Sequence, residues 1–147
     1  MTLDVLVIMD PIDSIKIAKD TSFALLLEAQ RRGHRIYVAG IADLGIQENH
    51  PVVKATPVTV HDNAAHWFDA FPAEDQKLSH FQIIFMRTDP PVTSAYIHAT
   101  QLLSMAEAEG SLVVNNPQGL RDLNEKLGAL LFPQCCPPTL VSSNAKA

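Results

Sequence analysis

The residues best placed to do chemistry stand at the ends of short apolar runs. In FQIIFMRTDPP, residues 81–91, a strand-like core segment stops at Arg87 and Asp89, and two prolines follow. Residues two apart in extended chain project to the same side, so these two charges would point together. A residue before proline is held extended, which keeps Asp89 in that geometry. Pro90 and Pro91 remove two backbone donors and fix two φ angles, so the pair would sit on a stiff platform with little entropy left to lose. A guanidinium beside a carboxylate suits an amino-acid-like ligand, Arg87 taking a carboxylate and Asp89 an ammonium. The alternative is structural: the two pair with each other and cap the sheet.

Two further runs end the same way. VLVIM is followed by Asp10 and Pro11, and LVV by Asn115 and Asn116. Each also has a plain reading, Asp10-Pro11 as a turn and Asn116-Pro117 as a helix start. In open α/β sheets ligands bind beyond the carboxyl ends of the strands. If these strands are parallel, Asp10, Arg87, Asp89 and Asn115 gather at one rim. No GxGxxG or Walker A stretch is present, so neither a dinucleotide nor a P-loop reading is open. The histidines, among them His61, His66, His80 and His98, show no telling spacing to a Ser, Asp or Glu, and no metal site or catalytic triad is expected. Cys135 and Cys136 are neighbours, could join only through a strained ring, and are expected as free thiols.

The elements that must position these groups read as follows. Leu3–Met9 is a continuously apolar strand, as in a sheet covered on both faces. Thr21 or Ser22 caps a helix, SFALLLEAQRR, that stops at Gly33, with Phe23, Leu26, Leu27 and Gln30 on one face. Arg35–Ala39 is a second strand, which completes a βαβ unit. Residues 40–80 read as an excursion from the sheet, of hairpin type, with short strand-like pieces flanking Pro51 and Pro57 and a helical turn or short helix at His66–Phe68 that buries Trp67. Phe81–Met86 is the next strand. Thr93 or Ser94 opens a helix ended by Gly110, with Tyr96, Ala99, Leu103 and Ala106 inward and Glu107 and Glu109 on a solvated face. Ser111–Asn115 is a strand. A last helix opens at Pro117 and carries Leu120, Leu123, Leu127, Leu130 and Leu131 on one side, and TLVS, residues 139–142, reads as a final strand. The class is therefore α/β: an open, mostly parallel Rossmann-like sheet with helices on both faces.

The chain has 147 residues, 47% hydrophobic, with a net charge of −5. That fraction supports a real core. The negative balance points away from nucleic acid and anionic membranes as partners. No run approaches a membrane span, and the N-terminus lacks a basic leader, so a cytoplasmic protein is expected.

The blocks VIMDPIDSIKIAKDTSFALLLEAQRRGH, FMRTDPP and VVNNPQGLRDLNEKL, in this order and spacing, resemble the N-terminal part of bacterial glutathione synthetase. The resemblance runs over essentially the whole chain and is weakest between about residues 45 and 80. Thr88 and Asn116 stand where the family pattern carries lysines. The resemblance implies a pre-ATP-grasp, substrate-side domain over 1–120. It makes 121–147 the helix and first strand leading into an ATP-grasp domain missing from this chain. It implies ligation of γ-glutamylcysteine and glycine with hydrolysis of ATP to ADP and phosphate, with ATP and Mg2+ held mostly by the later part. It also implies a homo-oligomer. Asp10, Arg87, Asp89 and Asn115 match positions lining or supporting the substrate edge, and Lys126 matches an ATP-contacting lysine. On this reading the 147 residues alone are catalytically incomplete, with no cofactor expected in them. The alternatives are a non-enzymatic oligomerisation module and a generic small-ligand-binding α/β domain.

Overall fold

The computed structural model describes residues 1–89, 91–123 and 127–144. Its strands are β1 (Asp4–Ile8), β2 (Arg35–Ala39), β3 (Leu44–Gln47), β4 (His50–Val60), β5 (Phe68–Ala70), β6 (Glu74–Lys77), β7 (Ile83–Met86) and β8 (Leu112–Val114); the α-helices are α1 (Thr21–Arg31), α2 (Ser94–Ala108) and α3 (Pro117–Asp122). The main path of the sheet runs β3-β4-β2-β1-β7-β8, and β5 and β6 also pair with β4.

The sheet is mixed, which corrects the expectation of a mostly parallel one. β1 pairs in parallel with β2 and β7, and β7 with β8. β4 is antiparallel to β2, β3, β5 and β6. The α/β class and the helices on both faces stand. Alternate residues of β1 define the two sides: Leu6 and Ile8 pack with Tyr96, Ala99 and Leu103 of α2, while Val5 and Val7 pack with Phe23 and Leu26 of α1. All five β1 residues are buried, which explains why the run shows no alternation. Asp4 is the polar exception. Its carboxylate accepts from the Arg35 guanidinium, with Nη2 to Oδ2 at 2.6 Å, and lies 3.3 Å from His80 Nε2. The partners Asp4 and Arg35 face each other in the β1–β2 register, so the pair helps fix that register at the rim opposite the strand tips.

β4 accounts for the region that is hardest to read. It is one 11-residue strand, although it contains Pro51 and Pro57. Prolines usually demote a strand because they cannot donate to the ladder. Here β4 changes neighbours along its length: His50–Val53 pair with β3 and Val52–Ala55 with β6, then Thr56–Val58 pair with β2 and Val58–Val60 with β5. Pro51 lies at the strand start and Pro57 just past the switch. No helical turn forms at His66–Phe68. Residues 61–67 are a turn, Phe68 begins β5, and Trp67 is half-buried with its indole N–H donating to the Ile12 carbonyl at 2.8 Å.

Helix ends follow the sequence with one shift. α1 is capped by Asp20, whose Oδ1 accepts from Phe23 N at 2.7 Å, and not by Thr21 or Ser22. Gly33 and Gly110, past the ends of α1 and α2, take positive φ of 79° and 109°, a conformation that costs glycine little. Gln30 closes a gap in the sheet: its amide donates to Val60 O and accepts from Val60 N, both at 2.8 Å. Gln30→Ala strips both partners from a buried residue's backbone. We expect it to cost about 1–3 kcal/mol, measured as a shift of the urea midpoint.

The last helix is shorter than the leucine spacing implies. α3 ends at Asp122, and Gly128–Leu131 form a separate 3-10 turn. Leu120 packs against the core, whereas Leu123, Leu127, Leu130 and Leu131 are exposed. TLVS forms no strand, because no described segment pairs with it, and Leu140 and Val141 are exposed. Among the described residues no helix is long and apolar enough to cross a membrane.

Candidate functional site

The rim is built by register. Ile8 aligns with Met86, and Phe85 with Val114, so β1, β7 and β8 end level and Asp10, Arg87 and Asn115 emerge on the same side of the sheet. A crevice of about 350 Å3 opens there, lined by Met9, Asp10, Ser14, Ile15, Lys16, Lys19, Asp20, Ser22, Arg87 and Asp89. That is within the size range of small-molecule sites, roughly 300–1,000 Å3.

Arg87 and Asp89 are both exposed at the mouth. No ion pair joins them among the described residues. Arg87 Nε donates instead to Ser22 Oγ on α1 at 3.2 Å, and the Asp89 backbone N–H donates to Asp10 Oδ2 at 3.3 Å. Ser22 is 4% exposed, so it props the guanidinium from within the fold. The Thr88 hydroxyl oxygen is buried and has no hydrogen-bond partner among the described residues.

Asn115 lies at the same rim but does not line the crevice. Asn116 caps α3, its Oδ1 accepting from Gly119 N at 2.9 Å, as the Asn-Pro signal implies. Lys126 and Pro90 fall outside the described residues. Ser22, read from the sequence only as a possible helix cap, lies in the first turn of α1, and Lys16, Lys19 and Asp20 join the site without having been singled out. These three come from the segment after Asp10, where no periodicity marks them. The available signal was their place between a strand tip and a helix start, where ligand loops of α/β folds lie.

The crevice thus holds three cations and three carboxylates. Asp20 accepts from the Phe23 backbone and Asp10 from the Asp89 backbone, and Lys16, Lys19 and Arg87 share the same space. That set suits a zwitterion or a polar molecule with carboxylate ends. It does not suit a divalent cation, which would face three positive charges and carboxylates of which two, Asp10 and Asp20, already accept backbone donors.

A second cluster contradicts the view that the histidines lack matched partners. His61 Nε2 and His66 Nε2 each lie 2.8 Å from one oxygen of Asp69, Oδ2 and Oδ1 respectively. Their rings stack at 5.5 Å and 23°. Hydrogen bonds from the two imidazoles hold the Asp69 carboxyl below its usual pKa. The sequence signal was H-x4-H-x2-D on the two arms of a turn, which is legible only once the turn is known. Glu109 is likewise not simply solvated: its Oε1 lies 2.9 Å from His50 Nδ1 on β4, and hydrogen bonds from His50 and Ser79 lower its pKa. Cys135 and Cys136 are both free thiols, as their adjacency implies.

A family model described as prokaryotic glutathione synthetase, N-terminal domain, matches residues 3–121. The chain is 54% identical over all 147 residues to a glutathione synthetase of Xylella fastidiosa strain Temecula1, covering 47% of that protein. It is also 54% identical to one of Xanthomonas campestris, covering 46%, and 44% identical over 146 residues to one of Buchnera aphidicola, covering 45%. The chain thus spans less than half the length of these relatives. On the match over residues 3–121 and on this identity along its whole length, the chain belongs to the prokaryotic glutathione synthetase N-terminal domain family.

Proposed function

We propose that this chain is the substrate-side part of a glutathione synthetase, a ligase joining γ-glutamylcysteine to glycine with ATP hydrolysis. The carrying observation is the crevice in which Asp10, Arg87 and Asp89 meet Lys16 and Lys19 at the tips of β1 and β7. γ-Glutamylcysteine carries an ammonium and two carboxylates, and the mixed charge of the crevice complements both. In this reading Arg87, propped by Ser22, takes a carboxylate. Asp89 takes the ammonium, Asp10 holds the Asp89 backbone in place, and Lys16 and Lys19 add positive field at the N-terminus of α1. Asn115 supports the rim. Binding of this kind fixes the peptide's orientation and removes most of its translational freedom.

ATP supplies the phosphoryl group that activates a carboxylate for attack by an amine, and Mg2+ offsets its charge. The crevice's donor set does not fit Mg2+, so no step at this site is assigned to the metal. Residues 121–147 are assigned to the passage into the nucleotide-binding part, with Lys126 as an ATP contact. The exposed side chains of Leu127, Leu130, Leu131, Phe132, Leu140 and Val141 support this assignment, since an apolar surface of that extent is usually covered. Residues 1–120 are assigned to the substrate side and to a homo-oligomer.

Arg87→Ala is expected to weaken binding of γ-glutamylcysteine to the chain by about tenfold, the weight of one charge-assisted hydrogen bond in an exposed site. NMR titration or calorimetry reads this directly. Unchanged affinity would remove Arg87 from the site, and a wild-type chain that binds no peptide would remove the crevice. Release of ADP by the 147 residues alone, given both substrates, would overturn the claim that ligation needs further residues.

A further inference from the structure

We propose that His61, His66 and Asp69 form a binding site for one zinc-type divalent ion at the end of the β4–β5 hairpin. The three residues each offer a ligand atom, and these atoms all lie within 4.8 Å of one another. Zinc takes imidazole nitrogen and carboxylate oxygen at about 2.0–2.2 Å, so two donors on one ion stand roughly 3–4 Å apart. The Nε2-to-oxygen separations of 2.8 Å therefore need only a small widening to admit an ion. Two nitrogens and one oxygen suit a borderline cation of the zinc, cobalt or copper kind; calcium and magnesium prefer all-oxygen sets. A neutral imidazole binds through Nε2 with its proton on Nδ1, so entry of the ion only moves that proton between the ring nitrogens.

The turn is organised before any ion arrives. His61 N donates to Trp67 O at 2.8 Å, Asn63 N to His61 O at 2.8 Å, and His66 N to Asn63 O at 3.1 Å. Asp69 is fixed opposite Thr59 in the β4–β5 ladder. Preformed backbone of this kind lowers the entropy cost of collecting three ligands. All three side chains are at least 40% exposed, which leaves the remaining positions open to water. An ion here would staple β4 to β5. It would also stiffen Trp67, whose indole N–H holds the Ile12 carbonyl in the segment leading into the crevice wall.

The test uses the tag-free chain with Cys135→Ser and Cys136→Ser, so that no thiol competes. Zinc titration by calorimetry is expected to give one saturable micromolar site. Copper is expected to quench the fluorescence of Trp67, the chain's sole tryptophan, with the same stoichiometry. His66→Ala and Asp69→Asn should each weaken zinc by at least about tenfold, the floor set by losing even an indirect ligand partner. His98→Ala should leave it unchanged. Circular dichroism separates lost binding from lost fold. Absence of saturable micromolar binding overturns the proposal, as does affinity that survives His61→Ala with His66→Ala. Peptide binding at the crevice is read separately, so either site can fail without the other.

Discussion

Phe23→Ala is expected to lower stability by about 3–5 kcal/mol and to weaken whatever binds the crevice. Phe23 is 1% exposed and lies in the layer between α1 and one face of the sheet, with Val5, Val7, Leu26, Ile36 and Val38. Removing its ring deletes the transfer energy of a buried aromatic and leaves a cavity that close-packed neighbours fill only in part. The second effect follows from place. Its own N–H is held by the Asp20 cap, and the preceding residue, Ser22, props Arg87. A helix start that loses its anchor lets both groups drift. Urea titration checks the first expectation. Calorimetry with γ-glutamylcysteine, at a urea concentration where the variant is still folded, checks the second. Full affinity in a destabilised variant would mean that the crevice does not depend on the seat of α1.

Phe81→Ala should cost a similar 3–5 kcal/mol and leave binding alone. Phe81 is fully buried on the other face, edge-on to Tyr37 with ring centroids 5.2 Å apart. It enters β7 at the end away from Arg87, and its neighbours are Leu78, Ile84 and Leu103. Because the two phenylalanines lie in separate layers, the double variant is expected to lose the sum of the single losses to within about 0.5 kcal/mol. A large coupling between them would argue against two independent cores.

Much of this was written locally. β2 matches its sequence bounds, α2 is capped by Thr93 and buries Tyr96, Ala99, Leu103 and Ala106, and Asn116-Pro117 opens α3. In each case a short-range cause acts: a cap, an apolar period or a proline at the first turn. The failures involve partners distant in sequence. Pro51 and Pro57 disguise β4 because its tolerance of them depends on where its neighbours change. The leucines after Asp122 have helical spacing, yet Leu123 already leaves helical geometry and Leu127, Leu130 and Leu131 are exposed; spacing alone does not hold a helix. The rim that gathers Asp10, Arg87 and Asp89 was legible because parallel strands end level, whereas Lys16 and Lys19 arrive from a segment without period. The His61–His66–Asp69 group stayed hidden since a hairpin, and not a helix or single strand, closes the distance.

The contact between the Asp89 backbone and Asp10 joins positions 79 residues apart, and it exists only after β7 has docked beside β1. A chain that has made its hairpins and helices but not that closure has no crevice. Any molecule seated there is therefore a witness of completed folding, since it recognises no partly assembled form. At a hundredfold excess over its dissociation constant it would add about 2.7 kcal/mol to the finished state alone. Supply of such a ligand would then act as a brake on degradation of the chain.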